Sequence, residues 1–530
     1  MVVVEYSYEE IKNKVKLSKE KIIDVLNEIG APTEIDSESG LIKSEITPNR
    51  PDWYAIEGLV RSIKTYTTQE IPTYKAKKSN YQVIIEKGVQ KIRPYTVCAV
   101  IKGIKFDDQK IKDIVQLQEK LGSTLGRKIK KLGIGFYPLH TFEFPIKYTT
   151  KKPDQIKYRP LGFDKELSAK EILKNHKKGE QYGHIIEKFE EYPVFIDNKN
   201  RIMCLIPIVN SAETGKVDVK TQDVFVEVTG IEWQSASYAL NIICCNLADM
   251  GGEIYEVETK YVADKKDITT PQLQEKEMKI DLERASKLLG VEITQKQVGE
   301  LLKKMGYNSQ GNKIFIPPYR ADILDQVDVF EDIAIAIGYN NFKPTMPNFF
   351  NSGSKITKYD KIHDTFRGMG FLETKTYLLT NRKKLELVEN DQKVVEIANQ
   401  SNEEFSIVRP TLIASMIETF EINKTKGLPQ KIYEIGEVHD TIKNKKKLIF
   451  GVMDNKVEFS EFRGYLQTFA LENKIEFELE STKKKPFEDQ ICAKIKINNK
   501  ERGIIGKISK EVIEALKLEF QIMICEIELE

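Results

Sequence analysis

Asp328, Glu331 and Asp332 stand at i, i+3 and i+4 in the stretch IPPYRADILDQVDVFEDIAIAIGY (Ile316 to Tyr339). A helix there would carry all three carboxylates on one face. Asp322 sits just ahead, where the chain could fold back toward that face. Three or four carboxylates without His or Cys suit a hard cation such as Mg²⁺. A plainer reading is an acidic helix start: Asp325 is a good N-cap, and Asp328 adds negative charge to the first turn. Spacing alone favours the plainer reading.

A second polar set lies at predicted strand ends. LIPIVNSAETGKV (Leu205 to Val217) reads as a buried strand that ends in Asn210-Ser211, and DVFVEVTGIEW (Asp223 to Trp233) as a strand that alternates up to Thr229-Gly230. Asn210, Ser211, Glu227 and Thr229 therefore stand where ligand contacts are common. Ordinary turn chemistry for Asn and Ser, and β-propensity for Thr, account for the same residues.

The elements that must position these groups follow from periodicity. Ser18 caps a predicted helix, SKEKIIDVLNEIG, with Ile22, Ile23, Leu26 and Ile29 at helical spacing and Gly30 as its stop. Thr294 to Gly306, TQKQVGELLKKMG, matches Ser18 to Gly30 in pattern and length, and IPPYRAD (316 to 322) matches ITPNRPD (46 to 52). One supersecondary unit is thus used twice, without the short regular period of a solenoid. After Asp52 the first copy has only Glu57 as an acid on the following helix, whereas the second has Asp325, Asp328, Glu331 and Asp332. Extra acids in one copy of a shared scaffold raise the case for a metal.

At 530 residues the chain is too long for one core. The expected fold is a multidomain α+β one. Small repeated α/β modules occupy 1–75 and 268–345, and a larger α/β module 92–262. A C-terminal unit, 346–530, has an antiparallel sheet covered by helices. Residues 66–90, polar and Lys-rich, read as a linker, and Pro344 and Pro347 mark the exit from the second small module. A net charge of +2 argues against a generic polyanion binder. Local basic clusters exist at Arg127 to Lys131, Lys443 to Lys447 and Lys483 to Lys485. The six cysteines form no CxxC and read as reduced core residues, so zinc is not expected. MVVVEYSYEE has no signal-peptide layout and no apolar run is long enough to span a membrane, so a cytoplasmic protein is expected.

Several segments, in order, resemble phenylalanyl-tRNA synthetase β subunits. TPNRPDWYAIEGLVRSI is similar to that family's first module. RPYTVCAVIKGIKF, LQEKL, LIPIVNSAETGKV and FVEVTG are similar to its editing module, and IPPYRADI with EDIAIAIGY to its metal-binding module. GFLETKTY, SIVRPTL, LPQKIYEIGEV and GIIGKISKEVI resemble its catalytic-like core. The chain ends after that core and carries no inserted oligonucleotide-binding module, the pattern of the archaeal and eukaryotic branch.

The resemblance implies a partner α subunit in an α2β2 tetramer, with the α chain charging tRNA(Phe) from phenylalanine and ATP. Class II synthetases clamp ATP with an arginine in R-x-E and another in a Gly-rich helix motif. Arg367, Arg382, Arg409, Arg463 and Arg502 match neither pattern, so the C-terminal core is expected to be class II-like but without synthetic chemistry. The family's Mg²⁺ ligands carry over to Asp322, Asp328, Glu331 and Asp332. Its editing site, which removes tyrosine from mischarged tRNA, carries over to Phe195 and Cys204 for substrate binding and to Asn210, Glu227 and Thr229 for hydrolysis. Editing has a physical motive: a pocket shaped for phenylalanine discriminates only about 10²-fold against an added hydroxyl. Two departures stand out. GIGFYPLH (Gly133 to His140) replaces a frequent His-Asp pair, and Cys204 and Glu227 replace a common serine and aspartate. The competing expectations are a free-standing hydrolase or metalloenzyme, and a binding scaffold without chemistry.

Overall fold

The structure, a computed structural model, describes residues 2–36, 40–346, 353, 359–388, 393–439 and 443–529. It divides into two compact units, Met1–Met346 and Pro347–Glu530. Pro347 itself lies outside the described residues.

The first unit contains the repeat as a repeat of structure. Ser18 caps the helix Lys19–Glu28 by accepting from the Lys21 amide, and Thr294 caps Gln295–Lys304 in a full capping box with Gln297. Both helices are followed by a glycine at φ 87°, Gly30 and Gly306, the left-handed stop that other residues adopt only with strain. Each copy has a three-stranded antiparallel sheet, with Leu41–Ile46 central in the first and Lys313–Ile316 central in the second. Each central strand leads to the same device, an Arg-x-Asp in which the guanidinium grips its own carboxylate through two nitrogens. Arg50 holds Asp52 at 3.0 and 2.9 Å, and Arg320 holds Asp322 at 2.9 and 2.7 Å. A buried Arg61 joins the modules. It pairs with Asp249, donates to the Tyr74 hydroxyl at 3.1 Å and lies 4.0 Å above the Tyr319 ring.

Between the two copies stands a ten-stranded sheet. Its order is Val209–Asn210, Ile202–Leu205, Tyr192–Ile196, Ile146–Lys151, Lys77–Ile85, Glu253–Tyr261, Tyr95–Lys102, Val224–Gly230 and Leu132–Pro138, with Lys266–Thr270 pairing off Glu253–Tyr261. The expected linker at 66–90 is overturned here. Lys77–Ile85 is a nine-residue strand near the middle of the sheet, parallel to both neighbours. Only its second half, where Val83 and Ile85 alternate inward, is buried. The lysines before it made the whole segment look like solvated chain. The helix Trp233–Asp249 covers one face, with Leu240, Ile243 and Leu247 in the core it shares with Val224, Val226 and Val228.

The second unit is a seven-stranded sheet in the order Leu372–Glu373, Gln430–His439, Asn444–Asp454, Gln521–Glu528, Lys500–Ile508, Phe487–Ile497 and Glu478–Ser481. It is antiparallel except at its first pair. Ile413–Ile422 and Lys510–Ala515 pack on one face, Asp360–Gly368 and Phe459–Glu472 on the other. Leu372–Glu373 is only two residues long, whereas Lys500–Ile508 runs for nine.

Candidate functional site

The large sheet curls until its two end strands nearly meet. Asn210, on one end strand, donates from Nδ2 to the carbonyl of Phe136 on the other, at 3.2 Å. Beside this seam a cavity of about 890 Å³ opens. Strand register builds its floor. Glu227 faces Gly135 on one side and Cys98 on the other, and Thr229 faces Gly133 and Thr96. Side chains alternate along a strand, so Glu227 and Thr229 share a face with the two glycines opposite. A Cβ at Gly135 would lie 2.5 Å from the Glu227 Oε1, and one at Gly133 would lie 2.7 Å from the Pro207 Cβ. Both glycines are therefore required by close approach.

Asn210, Glu227 and Thr229 line the cavity together. Phe195 and Cys204 stand in the core behind it, paired across their strands, and the Phe195 ring lies 4.9 Å from that of Tyr148. Neither of these two, expected to bind substrate, borders the cavity. Three residues at the site escaped the sequence reading. Tyr137 is wholly buried, and its hydroxyl lies 3.2 Å from the Asn210 Oδ1 and 3.4 Å from the Glu227 Oε1. Thr96 is buried beside Thr229. Arg93 donates to the carbonyls of Thr229, Ile129 and Lys130. The register and the two glycines of LGIGFYP carry the signal for Tyr137, but only once the strand partner is known.

Burial dominates the electrostatics. It raises the Glu227 carboxyl to about 8, against the opposing pull of Arg93 and of the Tyr137 hydroxyl. Glu227 is thus held largely protonated at pH 7, where its carboxyl can donate a hydrogen bond. Its Oε2 and the Thr229 Oγ1 are both buried without a hydrogen-bond partner. Leaving such atoms unpaired costs about 1–3 kcal/mol each, so a polar ligand group that met them would be bound selectively.

The rim is basic. Lys120, Lys177, Lys178 and Lys216 border the cavity, as does Ile129 from the Arg127 to Lys131 cluster. Arg127, Lys128 and Ile129 have φ of 47°, 55° and 63°, three left-handed non-glycine residues in a row. Sustained left-handed backbone costs about 1–2 kcal/mol per residue. Hydrogen bonds from Arg93 to two of this turn's carbonyls help hold it. His176 also borders the cavity, but both its ring nitrogens are engaged: Nδ1 accepts from the Lys178 amide and Nε2 meets the Leu161 carbonyl.

The acidic stretch is arranged differently from the expectation. Asp322 and Asp332 do come together, but on Arg320, which reaches each at 2.7 Å. Asp332 also accepts from the buried Tyr307 hydroxyl. Asp328 turns back to accept from the Leu324 and Asp325 amides at 2.8 and 2.9 Å, completing a capping box, and Glu331 is exposed. Asp322 repeats the role of Asp52 in the copy that lacks the acidic helix. The four carboxylates therefore do not fit a Mg²⁺ ligand set: a guanidinium already stands between two of them, and among the described residues no group of three or more His, Cys, Asp or Glu is placed to hold a metal ion. In the second unit Arg409 is buried on Glu434 at 2.9 Å, a structural pair. Among the described residues no helix is long and apolar enough to cross a membrane, and all six cysteines are buried and unpaired.

Two family models match the chain: the tRNA synthetase B5 domain over residues 278–339, and the phenylalanyl tRNA synthetase beta chain CLM domain over 344–529. Together they define an aminoacyl-tRNA synthetase chain. It is 33% identical to the phenylalanine–tRNA ligase beta subunit of Methanosphaera stadtmanae, over 100% of this chain and 99% of that one. It is also 33% identical to that of Pyrococcus horikoshii, over 98% and 95%. A crystal structure of an N-terminal fragment of the Pyrococcus horikoshii phenylalanyl-tRNA synthetase beta subunit superposes with a TM-score of 0.60 at 33% identity, over 63% of this chain and 99% of the fragment. The chain belongs to the phenylalanine–tRNA ligase beta-subunit family and is part of an aminoacyl-tRNA synthetase.

Proposed function

We propose that this chain works with an α subunit that charges tRNA(Phe), in an α2β2 assembly, and that its seam cavity hydrolyses the ester of tyrosine mischarged onto that tRNA. The α chain supplies the adenylation chemistry, since Arg409 is committed to Glu434 and the C-terminal arginines lack the ATP-clamping patterns. Mg²⁺, which phenylalanine–tRNA ligases generally use, enters with that chemistry and not through the acids around Arg320.

One observation carries the hydrolytic reading: Glu227 and Thr229 bring unpartnered, buried polar atoms to a cavity large enough for an aminoacyl group. The lysine rim suits the phosphates of the RNA end that bears the ester. Both ring nitrogens of His176 are engaged, so it does not serve as the base. A water oriented by Asn210 and by the RNA itself attacks the ester carbonyl. The ester C–O bond then breaks, and the ribose oxygen leaves with a proton. The test is tyrosine release from Tyr-tRNA(Phe) by the purified complex. Thr229→Ala and Glu227→Ala should each slow it. Release no faster than without enzyme would leave a scaffold without chemistry.

A further inference from the structure

Behind Asn210 and Glu227, which line the cavity, the protein fills the adjoining space with a side chain of its own. Gly135 leaves a bay in the floor, and the ring of Tyr137 lies over it: a Cβ on Gly135 would come 2.8 Å from both the ring and the hydroxyl of Tyr137. Tyr137 is two residues along the same strand and on the same face, so its side chain folds back across the glycine. The hydroxyl then stands between the Asn210 Oδ1, at 3.2 Å, and the Glu227 Oε1, at 3.4 Å, with one proton for two acceptors. Asn210 is held in place by its own bond to the Phe136 carbonyl. Phe142 and Phe225 pack edge-on and tilted against the Tyr137 ring, so the ring is anchored in the core.

Asn210 and Glu227 both line the cavity, and both already face a phenol. We infer that Tyr137 is an internal stand-in for the tyrosine side chain of the mischarged ester, and that it sets the pocket's selectivity by occupying the phenol subsite. A tethered phenol competes at a high effective concentration. An incoming tyrosyl group must displace it or bind without its hydroxyl recognised. The part of the cavity left open lies toward Gly133, Pro207 and Thr229, where the unpartnered Thr229 Oγ1 and Glu227 Oε2 remain. This inference rests on the hydrolytic reading of the cavity, and goes beyond it by making this chain a slow editor of tyrosine for an identifiable reason.

The experiment uses the complex of the full chain with its α partner, wild type and with Tyr137→Phe, Tyr137→Ala or Tyr137→Asp. Co-purification with the α chain serves as the folding check, and the Asp variant stands in if the Ala variant fails it. Two readouts are taken: tyrosine release from Tyr-tRNA(Phe), and calorimetric titration with p-cresol, a free phenol. The expected result is release at least tenfold faster with Tyr137→Ala or Tyr137→Asp than with wild type, and p-cresol uptake by those variants only. Tyr137→Phe keeps the ring and should stay within threefold of wild type in both readouts. Slower release after removal of the ring would make Tyr137 part of the hydrolytic machinery and overturn the inference. Equal release by all four complexes would overturn it while leaving the hydrolytic reading intact. If no complex releases tyrosine, the hydrolytic reading fails and p-cresol decides: uptake by the opened variants alone upholds the occupied subsite, and uptake by none, or by wild type equally, ends it.

Discussion

Replacing Glu227 by glutamine tests the electrostatics of the cavity floor. The folded carboxyl titrates at about 8 because burial outweighs the help of Arg93 and Tyr137. In the unfolded chain it returns to the ordinary value near 4.5. A folded pKa above the unfolded one gives a contribution that is whole below the unfolded value and is lost as pH rises through the folded one. Each pH unit in that window costs about 1.4 kcal/mol, so this single group removes about 3 kcal/mol of stability between about pH 5 and about pH 7.5. Glutamine has nearly the same shape and no proton to lose. The difference in unfolding free energy between Glu227→Gln and wild type should therefore move by about 3 kcal/mol in the variant's favour over that range. Denaturant titration of the two chains at both pH values measures it. Asp113, raised to about 7 by burial, titrates in the same window but cancels in the comparison. Difference infrared spectroscopy supplies the direct check, since the acid carbonyl band of Glu227 should persist at neutral pH and be missing from the variant. Parallel stability curves, together with an ionised Glu227 at pH 6, would refute the account of the floor as a neutral donor.

The two other perturbations follow from contacts in the first unit. Arg320→Ala leaves Asp322 and Asp332 without their shared cation, and loss of one partner of a buried ion pair costs about 3–5 kcal/mol; thermal unfolding of the variant should shift down accordingly, while added chelator should leave wild-type unfolding unchanged, and a chelator-sensitive transition would restore the metal reading. Gly135→Ala places a methyl 2.5 Å from Glu227 and 2.8 Å from Tyr137. Overpacking of this kind costs about 1–3 kcal/mol, and a denaturation midpoint equal to wild type would show that the bay has spare room.

What the sequence made legible is what is local in the chain. Capped helices, alternating strands and the duplicated Arg-x-Asp turn each depend on residues a few positions apart, and Ser18, Thr294, Gly30 and Gly306 take up the predicted roles. The hidden parts are those set by partners distant in sequence. Lys77–Ile85 looks like linker because its lysines and its buried valine and isoleucines are read as one average, whereas the sheet sees them in turn. Asp328, Glu331 and Asp332 all lie on the helix Gln326–Ile337, yet periodicity says nothing of what lies opposite, and Arg320 reaches Asp332 from twelve residues before it. Tyr137 is the sharpest instance. Within LGIGFYP it is one more apolar strand residue. It becomes a polar neighbour of Asn210 only because nine paired strands bring positions 137 and 210 to the two ends of one curled sheet. A site built at such a seam has no compact motif, and its chemistry depends on what a strand partner omits: the side chain missing at Gly135 makes room for Glu227 and Tyr137 to meet.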